Sequence, residues 1–232
     1  MNASKSDLHL YEECLLLALK DEEGTKDPYV NLGFSLGGAM LADLLLLGKV
    51  EVEEEKRQSF LKLVDPSETG DPLLDECTLK LHHAKRRATL GTWVQRFGAL
   101  RNLKHRAAEQ LVARGILKAE EGTILLIFKR KLYPELDGRV EKEIVERLRR
   151  AIFTRTSEID PRTVVLVSLA DKTGLLRANF DKKKLKEQKK RMEQIGKGEL
   201  IGAATQDAIN AAMAAVMAAS IIPIIVTTTV TS

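Results

Sequence analysis

The stretch 34–47, FSLGGAMLADLLLL, constrains the fold of this chain more than any other. It is apolar nearly all round and carries Asp43 as its one charge. Small residues (Gly37, Gly38, Ala39, Ala42) stand beside large ones (Met40, Leu41, Leu44, Leu45). A helix that is hydrophobic on every side belongs inside a protein, and small side chains on one side let a second backbone approach closely. The stretch therefore predicts a central core helix, ended by Gly48. A brief alternating strand follows over 49–53.

Helical spacing recurs along the rest of the chain. Leu8, Tyr11, Leu15, Ala18 and Leu19 make one apolar face, with Glu12, Glu13 and Lys20 off it. Further helices are predicted over 73–84, 89–97, 100–114, 140–153 and 163–170, the last opened by Asp160 and Pro161. A charged helix is expected over 182–195 and an Ala-rich one over 206–219. Residues 116–118 and 124–128, with a turn at Glu121 and Gly122 between them, read as a β-hairpin. The core is expected around 34–47, 100–114 and the Ala-rich helix. With aromatic residues at only 4%, that core must be aliphatic. The fold class is thus mainly α: a short polar segment over 1–7, then a single globular domain over 8–232 with a projecting β-hairpin.

Two cysteines, Cys14 and Cys77, lie in apolar helical stretches and read as buried thiols of a reducing compartment. No secretory signal opens the chain. Residues 208–226 are interrupted by Asn210, Ser220 and Pro223, and read as a buried terminal helix and short strand. A tail anchor is the competing reading. The histidines His9, His82, His83 and His105 fall into no metal-ligand spacing. Gly33, Ser35 and Gly37 match the G-x-S-x-G nucleophile pattern, but that motif needs a strand, a sharp elbow and a helix. The flanks here are a loop and a helix. The chain is therefore expected not to be an enzyme and to need no cofactor or metal.

A net charge of +4 suits a surface that meets phosphate. One reading is a winged helix, with Arg101, Lys104, His105 and Arg106 against a nucleic-acid backbone; support for base reading is thin, and nucleic acid is the weaker partner. The other is a lipid-headgroup pocket. Arg101 and Lys104 sit three apart and share a face of the expected helix. Tyr29, in a polar loop, would touch the bilayer interface beside them. The densest basic run, Lys182, Lys183, Lys184, Lys189, Lys190 and Arg191, is a secondary basic surface.

Four motifs resemble the Golgi phosphoprotein 3 family. Residues 8–24 are similar to its L-x-L-x-E-E-x-L-L-L-x-L-x-D-x-x-G opening. Residues 38–44 followed by Gly48, Lys49 and Val50 resemble its central helix. Residues 69–76 match T-G-D-x-L-L-D-E, and residues 100–117 match L-R-N-x-x-x-R-x-x-x-x-L-V-x-x-G-x-L. Their order agrees, and the likeness spans about 8–219. It implies a peripheral membrane adaptor that binds phosphatidylinositol 4-phosphate at the Golgi and captures the cytosolic tails of glycosyltransferases. The hairpin is expected to support self-association, and an oligomeric scaffold without a lipid ligand is the alternative. Members with the lipid-binding role use a tryptophan, which falls near Tyr29, and a first arginine, which falls on Gly37. An arginine pair falls on Arg101 and Lys104. The chain would be cytoplasmic and peripheral, on the Golgi if eukaryotic. The compact start fits a prokaryotic branch, whose ligand would be a different anionic lipid, or none.

Overall fold

A computed structural model describes residues 8–19, 31–56, 58–124, 128–132, 136, 138–156, 158–200, 212–214 and 216–217. Among them the architecture is mainly helical, with two antiparallel β-hairpins. The elements begin with α1 (Leu10–Ala18) and α2 (Leu32–Leu46), then a hairpin of β1 (Val50–Glu55) and β2 (Gln58–Leu63). Three helices follow: α3 (Pro72–His82), α4 (Leu90–Gly98) and α5 (Leu103–Ala113). A second hairpin, β3 (Glu120–Ile124) and β4 (Phe128–Leu132), leads to α6 (Arg139–Phe153) and α7 (Pro161–Thr173). The last elements are α8 (Leu175–Asn179), α9 (Lys182–Glu187) and α10 (Lys189–Gly196).

The expected core helix is α2. It packs on α1, α4 and α7, so the partner of its small face is α4; α5, expected in the core, packs on α1 and buries Leu103, Ala107, Ala108 and Leu111. An ideal Cβ on Gly37 would lie 2.2 Å from the Val94 carbonyl oxygen, and one on Gly98 would lie 2.2 Å from the Gly33 carbonyl oxygen. Only glycine lets the two backbones cross this closely. Every residue of α1 is buried, Glu12 and Glu13 included. These two carboxylates do not sit on a solvent face, as helical spacing alone implied. Cys14 and Cys77 are both buried and free, and burial pushes both thiols up from their ordinary range.

Three local expectations shift. The strand expected at 49–53 is the first half of a full hairpin, with Val50 opposite Leu63 and Glu55 opposite Gln58. Second, Ile116 and Leu117 are not strand residues. Both are buried, and their amides return to the Leu111 carbonyl past Gly115, whose φ is 69°. They form the apolar end of a left-handed helix stop. The hairpin strands lie further on, with Glu120 opposite Leu132 and Ile124 opposite Phe128. Third, the charged helix expected over 182–195 is two helices broken at Gln188. On one straight helix Leu185 and Ile195 would point about 80° apart; with the break, both are buried. Of the Ala-rich tail, residues 212–214 and 216–217 are helical, with Ala212 and Val216 buried; the remainder of 206–226 lies outside the described residues. No helix among the described residues is long and apolar enough to cross a membrane.

Candidate functional site

The sequence motifs divide into those that hold the fold and those left over. Most hold the fold. The Asp43 carboxylate accepts the amides of Leu10 (3.0 Å) and Tyr11 (3.3 Å) at the start of α1, with the Arg162 guanidinium at 3.6 Å. Burial lifts its pKa to about 7, against the opposing pull of Arg162 and the two amides. Glu12 accepts two hydrogen bonds from Arg114, which caps the C-terminal end of α5, at 2.8 and 3.0 Å, and reaches back to the His9 amide at 2.8 Å. Glu13 accepts from Arg147 of α6 at 2.7 Å and lies 3.9 Å from Arg162 of α7. Burial raises its pKa in spite of both cations. Arg162 also donates to the Leu8 carbonyl.

The T-G-D segment is likewise structural. Asp71 caps α3 by accepting the amides of Leu73 and Leu74, and its other oxygen lies 2.6 Å from the buried Tyr11 hydroxyl. Asp75 accepts from the Thr69 amide and hydroxyl, each at 2.6 Å. Arg106 pairs with Glu76 at 2.6 Å. Ser35 lies inside α2, is fully buried, and accepts a hydrogen bond from the Thr173 hydroxyl at 3.3 Å. It has neither the elbow nor the access that a nucleophile needs.

What remains open is the turn between α4 and α5. Arg101 is exposed and stands in this turn, two residues before α5 begins. Asn102 caps the helix from the left-handed region, at φ 54°, a conformation that asparagine tolerates better than most residues. Lys104 follows in the first turn of α5 and is half-buried. The two cations therefore flank a helix start; they do not share one helix face. The glycine crossing fixes where this turn lies. Gly98, the last residue of α4, packs against Gly33, the second residue of α2. The segment carrying Arg101 thus leaves α4 beside the N-terminal end of α2. No sequence spacing reveals that proximity, because 65 residues separate the two glycines.

Tyr29 lies outside the described residues. Gly37, where the resemblance puts a family arginine, sits at the backbone contact with α4 and has no room for any side chain. The secondary basic run is divided. Lys182, Lys183 and Lys184 are exposed on α9, and Lys189 and Lys190 are exposed on α10. Arg191 is a clamp: it donates to the Ala151 carbonyl at 2.6 Å and to the Thr156 carbonyl at 2.9 Å.

Together these features define a mainly helical domain with an aliphatic core crossed by buried ion pairs and a cation-bearing turn at the end of α4 that packs on the start of its central helix. Comparison with known proteins agrees in kind. The profile of Golgi phosphoprotein 3 (GPP34) matches residues 10–212. Vacuolar protein sorting-associated protein 74 of Schizosaccharomyces pombe is 31% identical over 172 residues, which cover 66% of this chain and 50% of that relative. The chain belongs to the Golgi phosphoprotein 3 family, and spans about half the length of the curated relative it matches.

Proposed function

We propose that this protein is a peripheral membrane adaptor that docks on an anionic phospholipid headgroup, phosphatidylinositol 4-phosphate, through Arg101 and Lys104, with Tyr29 at the bilayer interface. Its clients are the cytosolic tails of membrane enzymes, and its place is the cytoplasmic face of the Golgi. Family membership supports the adaptor role. The observation that supports the site is the Gly33–Gly98 contact, which brings the C-terminal end of α4, three residues before Arg101, to the N-terminal end of α2. A helix N-terminus presents unpaired amides and a partial positive charge to an anion. Here the Asn31 side chain makes no capping hydrogen bond to those amides. In this reading the exposed Arg101 guanidinium and the Lys104 ammonium supply the charge-assisted hydrogen bonds to the phosphate. Lysine supplies a point charge without the fork of an arginine.

Flotation with liposomes tests the reading. Vesicles carrying phosphatidylinositol 4-phosphate should retain the protein, while neutral vesicles should not. Each charge-assisted contact contributes about 1.5–3 kcal/mol, so Arg101→Ala with Lys104→Ala, which removes two, should weaken retention by roughly a hundredfold or more. Equal recovery from both vesicle types would end the proposal.

A further inference from the structure

A cavity of about 750 Å³ opens between α7, the α9–α10 pair and residues Met213, Val216 and Met217. That volume is in the usual range for a small-molecule site. Val167, Leu185 and Val216 in its floor are buried, and Met192 and Met213 are half-buried beside them. Methionine adapts its shape to flexible apolar guests. Around this floor stand Lys172, Arg177, Lys182, Lys186, Lys189 and Lys197, all exposed. Among the described residues, Asp171 and Glu193 are the acids that oppose them in the lining. Glu193 already faces Lys189 at 3.8 Å, so the rim keeps a clear cationic excess.

An apolar trough ringed by cations selects for a molecule with an apolar body and an anionic end. We propose that this cavity is a second ligand site, separate from the Arg101 turn, which takes a single-chain amphiphile with a phosphate headgroup. The acyl chain lies along Val167, Leu185 and Met192, and the phosphate meets the lysines of α9 and α10. Phosphate is favoured over carboxylate because it carries nearly two charges at neutral pH and more acceptor oxygens, which matches a rim of several cations. The break at Gln188 builds the site. It turns Leu185 inward with the floor while leaving Lys182, Lys186 and Lys189 on the rim.

Calorimetric titration of the full chain, below the critical micelle concentration, provides the test. Dodecyl phosphate should bind saturably at one equivalent, and dodecyltrimethylammonium, with the same tail and opposite charge, at least tenfold more weakly. Inorganic phosphate alone should not bind in the same range. Lys182→Glu with Lys186→Glu should lower dodecyl phosphate affinity at least tenfold, while Arg101→Ala with Lys104→Ala should leave it unchanged. Met192→Trp, which fills the floor, should weaken it without removing charge. The inference is overturned by absent dodecyl phosphate binding, by equal affinity for the two tails of opposite charge, or by loss of binding in the Arg101 and Lys104 variant. Laurate binding tighter than dodecyl phosphate would overturn the headgroup assignment. An acidic helical peptide that binds where dodecyl phosphate does not would assign the trough to a protein partner instead.

Discussion

Asp43 is the sole charge of α2, the most apolar helix among the described residues, and its surroundings make it a titrating group near neutrality. Its folded pKa stands at about 7, raised by burial from an ordinary value of 3.8. Arg162, His9, Glu13, Tyr11 and Cys14 are charged or titratable neighbours of it. An acid whose pKa is raised in the fold binds a proton more readily folded than unfolded between those two values. Its contribution to stability is therefore complete below about pH 4 and is lost as pH rises through about 7. Asp43→Asn removes the titration and can still accept one of the two amide bonds. Thermal melts should show the wild type losing stability between pH 5 and 8 more steeply than the variant. Parallel curves would mean that Asp43 keeps its charge throughout. The sequence announced this residue as odd, a lone charge among leucines. It did not announce the partners, because Arg162 is more than a hundred residues away along the chain. The same holds for Glu12 and Glu13. Helical spacing put them off the apolar face, and only arginines from distant helices make their burial tolerable.

Elements with strong caps and periodic apolar residues were legible: α3 behind Asp71 and Pro72, α7 behind Asp160 and Pro161, α6 after Gly138. Those that escaped lack the local punctuation that sequence reading depends on. The β1–β2 turn uses Lys56 at φ 47° in place of a glycine or asparagine. The α9–α10 break falls at Gln188 with no proline or glycine. The glycines of α2 were legible as a close-approach face, though their partner was not. They carry a prediction with an internal control. Gly37→Ala places a methyl group 2.2 Å from the Val94 carbonyl and 2.7 Å from the Gly98 amide nitrogen. The helices must separate, at an overpacking cost of about 1–3 kcal/mol. That outweighs the roughly 0.8–1 kcal/mol alanine gains over glycine in a helix. Gly91 of α4 has nothing within 4 Å of its would-be Cβ, so Gly91→Ala should raise the melting temperature slightly. If both substitutions moved it in the same direction, the close crossing would not be real. The Arg101 turn stands just past this crossing, so Gly37→Ala should also weaken retention on vesicles carrying phosphatidylinositol 4-phosphate.

At the scale of the whole molecule, α1 acts as a hub. Its two adjacent carboxylates reach three helices far apart in sequence: α5 through Arg114, α6 through Arg147 and α7 through Arg162. Tyr11 adds α3 through Asp71 at 2.6 Å, and Asp43 ties in α2. A buried ion pair is a poor source of net stability, but removing one partner leaves an uncompensated charge in a low-dielectric interior. Glu12→Gln makes that cut with almost no change in shape, leaving Arg114 four-fifths buried opposite a neutral amide. The expected loss is about 3–5 kcal/mol, which for a chain of this size lowers the melting temperature by roughly 10 °C. Replacing both members, Glu12→Gln with Arg114→Met, should recover part of that loss, since no buried charge is then stranded. The hub also predicts the form of the transition. Because α1 joins the N-terminal and C-terminal halves through side chains within a few residues of one another, near-ultraviolet and far-ultraviolet circular dichroism should melt together in the wild type and in both variants. A double variant no more stable than Glu12→Gln alone would show that the pair is not the interaction holding α5 to the hub.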